Sequence, residues 1–373
     1  MKKHSVKHIS YFLLPAAIMS LILSSCTTQF GSLPEGEYIS VLEKSPNYHN
    51  GEFKNIEETP MMSGDKGKFE AWWDFVFASY PDIAPQTEIP HVKTDLKKLN
   101  LQDDLLIWFG HSSSLLQISG KRILIDPVIK NYASPVSFLN KAFLGTTLYT
   151  TEDLPDIDYL VISHDHWDHL EYSTVSYLKD KVKKVICPLG IRSHLEYWGF
   201  TPDKILEGDW NSHINVDEAL SVDILPARHF SGRFLSSNKT LWAGFLFTTK
   251  NHRIFYSGDS GYGKHFAQIG STYPNIDLAL LENGQYNENW KFIHMFPEEV
   301  AQAAVDIKAK KVIPMHSGRF ALSTHKWADP FIRLDKASIG KSFQLLTPMI
   351  GEIVDLNNNK QIFTKWWETV PSK

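Results

Sequence analysis

The stretch Ser163-His164-Asp165-His166-Trp167-Asp168-His169-Leu170 decides how this chain is read. It sets three histidines and two aspartates in six consecutive positions, directly after the apolar run Tyr159-Leu160-Val161-Ile162. A run of that length and branching reads as a short buried β-strand, so the cluster belongs on the loop leaving the strand's C-terminal end. In an extended segment His164 and His166 project to the same side. Asp168 and His169 fall where the chain turns toward a helix and can face a second point nearby. Imidazole and carboxylate are ligands for zinc and similar borderline metals. The string therefore predicts a metal centre in preference to a solvated polar loop.

Working outward, other strand patterns end in the same residue types. The apolar stretches 105–109, 114–118 and 121–125 predict a β-meander, the last two joined by a turn at Gly120 and closed by Asp126-Pro127. Further strands are expected at 184–187, 220–225, 242–248, 253–256, 276–281 and 311–315, with helices at 173–179, 191–198 and 297–309. The last helix carries Pro297 in its first turn beside Glu298 and Glu299, a favourable start. The strand at 220–225 runs out to His229, the one ending at Tyr256 runs into Gly258-Asp259, and the one ending at Met315 runs into His316. Four strands thus deliver His or Asp at their C-terminal ends, the rim where open α/β sheets place their sites. Two sheets with helices outside, forming one domain, is the architecture these patterns favour.

The ends of the chain read differently. Lys2, Lys3 and Lys7 precede an apolar run over 9–23 that is too short and too interrupted for a spanning helix. Leu23-Ser24-Ser25-Cys26 resembles a bacterial lipobox. That resemblance implies cleavage before Cys26, lipidation of its thiol, and residence in the bacterial cell envelope at a membrane surface. A plain secretory signal or an uncleaved anchor is the alternative. With Cys26 lipidated, Cys187 is the remaining cysteine and no disulfide forms within the chain. Residues 28–65 are rich in Gly, Pro, Ser and Asn, as a tether or loosely draped segment would be. Phe69, Trp72, Trp73, Val76, Phe77 and Tyr80 follow at helical spacing, before Pro81. Packing on the main domain and a lipid-facing wall are both open to that helix. The expected organisation is a leader over 1–25, an extension over 26–95, the catalytic domain over 96–356 and a tail over 357–373. A formal charge of -4 gives no nucleic-acid signal.

The ordered set H-x-H-x-D-H, His229, Gly-Asp259, His316 resembles the metallo-β-lactamase superfamily. That resemblance implies an α/β fold, an αββα sandwich of two mixed sheets with flanking helices, and a binuclear metal site at one edge. Carried over, His164, His166 and His229 would hold one metal, Asp168, His169 and His316 the other, with Asp259 bridging. Narrower motifs, Trp108-Phe-Gly-His111, Ile125-Asp-Pro127, Phe255-Tyr-Ser-Gly-Asp-Ser260, His294-Met-Phe-Pro-Glu-Glu299 and Met315-His316-Ser-Gly-Arg-Phe-Ala-Leu322, resemble the N-acylphosphatidylethanolamine-hydrolysing phospholipases D. This implies a phospholipid or other phosphodiester substrate, cleaved to phosphatidate and an N-acylethanolamine.

Two divalent cations a few ångströms apart lower the pKa of a water between them and offset charge on a phosphoryl oxygen. Ligands of N and O type without thiolate favour Zn²⁺, with Mn²⁺ or Fe also fitting. Asp168, Asp259 and His294 are the catalytic candidates, His294 to orient the leaving group or to donate a proton to it. His111, His325 and Arg319 are candidates around the substrate: His111 on a ligand or the phosphate, His325 at the rim, Arg319 as a phosphate fork or in a surface ion pair. Trp366 and Trp367 could touch lipid or pack in the core. His49, His91, His194, His213, His252 and His265 carry no assignment. Other hydrolases, of lactones, sulfate esters or non-lipid phosphodiesters, and a non-catalytic metal-stabilised lipid-binding lipoprotein are the alternatives.

Overall fold

The computed structural model describes residues 27–64, 80–233 and 236–371. The leader, Cys26 and, apart from Tyr80, the aromatic helix lie outside the described residues. A helical turn α1 (Ile39–Leu42) and a small hairpin of β1 (Tyr48–His49) and β2 (Glu52–Phe53) precede the main body. Then β3 (Leu105–Trp108), β4 (Ser114–Ile118) and β5 (Lys121–Ile125) form the antiparallel meander. β6 (Ile157–Val161), α2 (Tyr172–Leu178), β7 (Val182–Pro188), α3 (Ile191–Tyr197) and β8 (Ile205–Gly208) continue it as parallel strands with helical crossovers.

The second half repeats the scheme. β9 (Ser212–Asn215), β10 (Ser221–Leu225), β11 (Gly244–Thr248) and β12 (Arg253–Tyr256) are antiparallel. They lead into α4 (His265–Thr272), β13 (Leu278–Glu282), α5 (Pro297–Asp306), β14 (Lys311–Met315), α6 (Asp329–Ala337) and β15 (Gln344–Leu345), whose strands are parallel. β16 (Ile353–Asp355) returns to pair antiparallel with β3. The result is two seven-stranded mixed sheets.

Strand alternation explains why the sheets stack. In β3, Leu106 and Trp108 face the core shared with β10, β11 and β12, while Leu105 and Ile107 face Val175 and Leu178 of α2 and Leu195 of α3. The second sheet turns Leu246, Phe255 and Leu281 outward onto Phe266 of α4, Val300 and Ala304 of α5 and Leu334 of α6. Both faces of both sheets are covered, so the strands read as near-continuous apolar runs. This is the expected αββα order. Each expected strand is present within two residues of its expected bounds, while β1, β2, β8, β9, β15 and β16 had no expected counterpart. The helix expected at 297–309 stops at Asp306.

One expectation about the ends needs correction, and at the other end the structure chooses between two alternatives. Residues 27–64 are packed on the sandwich and not draped over it: Leu42 and Phe53 are fully buried in the inter-sheet core, and Phe53 N–H donates to the Asn238 carbonyl at 2.8 Å. In the tail, Trp366 and Trp367 are buried in the same core, with Trp366 against Phe331 at 4.9 Å, which excludes lipid contact for both rings. Turn residues supply polarity and apolar anchors supply attachment, and composition alone weighs only the first. Phe53→Ala is expected to destabilise the protein by about 3–5 kcal/mol, read as a lower urea midpoint; a neutral result would mean the segment carries no core packing.

Candidate metal centre

The site is assembled at one edge, where strands of both sheets end. The exit of β6 delivers His164, His166, Asp168 and His169, the last two in the turn before α2, and the exit of β3 delivers His111. From the other sheet, β10 leads to His229, β12 to Asp259 and β14 to His316. The seam is stitched by main-chain bonds: His316 N–H donates to the His111 carbonyl at 2.9 Å, and His111 N–H to the Ser317 carbonyl at 3.0 Å. His111, Asp126, Gln285 and His316 all sit at positive φ, between +39° and +63°, a conformation costing non-glycine residues about 1–3 kcal/mol. Just before Asp259, Gly258 has φ +58°, and a Cβ there would stand 2.5 Å from the Ala243 carbonyl oxygen.

Seven expected ligands converge. His164, His166, His229 and Asp259 offer ligand atoms that all lie within 4.8 Å of one another, and so do His111, Asp168, His169 and His316. His164 Nε2 and His229 Nε2 lie 2.9 and 3.2 Å from His166 Nδ1. Asp259 stands between the groups, with Oδ2 3.2 Å from His169 Nε2 and 3.7 Å from His229 Nε2, and Oδ1 3.1 Å from His316 Nδ1. His169 Nε2 is 3.4 Å from Asp168 Oδ2.

A surrounding layer fixes which nitrogen faces inward. Asp126 Oδ2 accepts from His169 Nδ1 at 2.8 Å, from the Ser163 hydroxyl at 2.5 Å and from the Tyr256 hydroxyl at 2.6 Å. Ser163 Oγ, its proton committed to Asp126, accepts from His164 Nδ1 at 2.9 Å. His229 Nδ1 donates to the Ile293 carbonyl at 2.9 Å. The His164 and His229 rings therefore spend their Nδ1 protons outside the site and turn an Nε2 lone pair inward, and Asp126 takes the Nδ1 proton of His169 so that its Nε2 faces inward, the arrangement by which outer groups orient metal-binding imidazoles.

Electrostatics fit a cation. Burial holds His164, His229 and His316 well below the ordinary imidazole pKa and His166 down to about 4, so their inward nitrogens are lone pairs at neutral pH. Burial raises Asp259 to about 6, against the pull of His169. At His169, burial opposes charge, but Asp259 and Asp168 prevail and raise its pKa well above the usual value. Crowded lone pairs beside two carboxylates draw positive charge, and His169 Nε2 and Asp259 Oδ1 are buried without a hydrogen-bond partner. The donor set suits divalent metal.

The other candidates separate clearly. His111 is buried, with Nε2 2.8 Å from Asp168 Oδ2, so it stands behind a ligand. His294 is inside the site, stacked on His316 at 5.2 Å, and its Nδ1 lies 3.2 Å from Glu282 Oε1. Arg319 is a correction: it is 2% exposed, neither on the surface nor turned to the site, and its guanidinium donates to the carbonyls of Phe109, Ile129 and Lys130. A buried cation satisfied by carbonyls is a structural clamp, with its pKa lowered to about 10 by burial. His325 is another: its Nε2 accepts from Gln285 N–H at 2.8 Å and its ring stacks on Tyr286 at 4.5 Å, which holds the Gln285 turn. Sequence reasoning gave no role to Asp126, whose Asp-Pro context signals a turn, or to Glu282, the last residue of an apolar strand. Asp165 had none either: it accepts from Gly232 N–H at 2.6 Å and lies 3.4 Å from His194 Nε2, outside both ligand groups.

Residues 121–317, more than half of the chain, match the model of the beta-lactamase superfamily domain, and the chain belongs to that superfamily, with the metallo-β-lactamase fold. Its relatives and structural neighbours include metal-dependent hydrolases, the enzyme class in which it falls. An uncharacterised protein of Mycobacterium tuberculosis is 39% identical over 333 residues, spanning 88% of this chain and 89% of that one. N-acyl-phosphatidylethanolamine-hydrolyzing phospholipase D 1 of Caenorhabditis elegans is 30% identical over 233 residues, 59% of this chain and 65% of that enzyme. A solved metallo hydrolase from the archaeon Ignicoccus hospitalis superposes with TM-score 0.52 at 24% identity, over 67% of this chain and 97% of that one, and shares the fold.

Removing the carboxylate that orients His169 is expected to weaken divalent-metal binding. Asp126→Asn should lower Zn²⁺ affinity by about 10–100-fold in chelator competition; unchanged affinity would show that His169 is oriented without it.

Proposed function

We propose that this chain is a binuclear metallophosphodiesterase acting on a phospholipid, by phospholipase D-type cleavage of N-acylphosphatidylethanolamine or a close relative. The observation that carries this reading is the mouth of the site. A cavity of about 430 Å³ opens directly onto His166, Asp168, Asp259 and His316, and is walled by Met61, Met62, Phe230, Trp290, Ile293 and Leu322. A polar floor under an apolar wall suits a substrate with a phosphodiester at one end and hydrocarbon at the other. The likeness to the nematode enzyme points the same way.

In this reading His164, His166 and His229 hold one cation, Asp168, His169 and His316 hold the other, and Asp259 serves both. Zn²⁺ is the cation best matched by imidazole and carboxylate donors. The metal pair supplies an acidified water and a positive potential for the phosphoryl oxygens. Burial keeps His164, His166, His229 and His316 unprotonated, and Asp126 and the Ile293 carbonyl hold the rings of His169 and His229. His111 steadies the Asp168 carboxylate. His294, lining the mouth with its ring fixed against Glu282, is placed to give a proton to the departing alkoxide oxygen. Lipidation at Cys26 would keep the protein on a membrane of the bacterial envelope, beside its substrate.

Incubating metal-loaded protein with N-acylphosphatidylethanolamine, with and without chelator, should yield phosphatidate and N-acylethanolamine only without it, followed by mass spectrometry and phosphorus NMR. Phosphate retained on the head group would move the cut to the other ester bond; turnover of lactones or sulfate esters alone would replace the phosphodiester reading. Asp259→Asn should fold and lose turnover by about a hundredfold or more.

A further inference from the structure

Between β5 and β6 the chain forms a small ordered hairpin that the reaction does not use. Ala133 N–H donates to the Asn140 carbonyl at 3.0 Å, Ala142 N–H to the Asn131 carbonyl at 2.8 Å, and a bridge joins Tyr132 to Lys141. Its tip nonetheless exposes Val136, Phe138 (71%) and Leu139 (50%), and Leu144 is 62% exposed just beyond. Water is a poor partner for so many clustered apolar side chains on so rigid a support. From Pro127 to Thr151 there is no Asp or Glu, while Lys130 and Lys141 are exposed at the hairpin's base.

The contacts at its base and flank place it in the molecule. Gln29 Nε2 donates to the Pro135 carbonyl at 2.8 Å, so the start of the described chain lies on this hairpin. Cys26 is three residues earlier, within about 10 Å of Gln29 even when fully extended. On the other side, Val128 and Ala133 pack on Phe320, with Ala142 and Leu322 against the same cluster, and Leu322 also walls the mouth. Arg319 ties the base to the site by its bonds to the Ile129 and Lys130 carbonyls, and Phe143 N–H donates to the Arg319 carbonyl at 2.8 Å.

We infer that the hairpin over 131–142 is a docking element that sinks Phe138 and Leu139 into an anionic bilayer surface, with Lys130 and Lys141 at the head groups. Apolar side chains entering the acyl boundary and lysines meeting anionic lipid make the two-part signal that stable surface binding requires. Part of the tip's main chain is already bonded internally, Leu139 N–H to the Val136 carbonyl at 3.2 Å and Val136 N–H to the Ser134 hydroxyl at 3.2 Å, which reduces the polar groups that insertion leaves unpaired. The orientation follows: the hairpin meets Gln29 on one flank and, through Phe320 and Leu322, the wall of the mouth on the other. This inference does not rest on the reaction proposed above, since vesicle contact is read without turnover.

The test uses the full chain with Cys26→Ala, so that Cys187, which is buried, leaves one introduced thiol for an environment-sensitive fluorophore. Labels are placed by Phe138→Cys and, on a separate protein, by Ile362→Cys at a residue 86% exposed. With phosphatidylethanolamine–phosphatidylglycerol vesicles, the label at 138 should shift to the blue and be quenched by doxyl lipids, while the label at 362 is not; phosphatidylcholine vesicles should give a weaker response. Equal behaviour of the two labels, no response at 138, or a blue shift at 138 that needs only a higher protein concentration would overturn the inference, the last by making a second copy of the chain the occupant.

Discussion

The controlling constraint in this molecule is that its buried polar centre is divided between two sheets. One sheet contributes His164, His166, Asp168 and His169, and the other contributes His229, Asp259 and His316. Neither half is a site alone. Their spacing is set by how the sheets stack on Trp108, Phe245, Phe247 and Tyr256, and close packing transmits small displacements instead of absorbing them. The paired main-chain bonds between the exits of β3 and β14 lock the same seam.

Behind the ligands the structure uses buried cations as braces. Arg233, 5% exposed, donates to the carbonyls of Asp165 and Leu170 and so grips the ligand loop at two points, while its guanidinium lies 3.9 Å from the Trp167 ring centroid. A third bond reaches the Gln29 carbonyl and ties in the N-terminal segment. Arg319 does comparable work on the carbonyls of Phe109, Ile129 and Lys130. Guanidinium suits this task because its fork of donors can satisfy several carbonyls at once.

The ligand set and the sandwich were legible because their signals are local. An apolar strand followed within four residues by histidine or aspartate can be read in one pass, and β6, β10, β12 and β14 all have that form. β9 and β15 escaped because a short edge strand such as Ser212–Asn215 has no apolar pattern to show. α4 and α6 escaped for want of a periodicity strong enough to separate them from their turns. Asp126, Glu282 and Arg319 were hidden differently. The roles of Asp126 and Arg319 depend on partners scores of residues away, such as Tyr256 for Asp126, and that of Glu282 on His294 and Met295 across an irregular loop, and no spacing rule reports such meetings. His325 and Arg319 show the reverse error, in which residue type suggested contact with substrate and burial decided for architecture.

The left-handed backbone at His111, Asp126, Gln285 and His316 has an evolutionary corollary. Glycine would relieve the torsion at any of these positions but would delete the imidazole, amide or carboxylate that makes the position useful. Other side chains would keep the torsional penalty and supply the wrong donor. Drift at this rim is therefore opposed twice, once by conformation and once by chemistry. Adaptive change has far more freedom in the apolar wall of the mouth, where volume and hydrophobicity are the main demands.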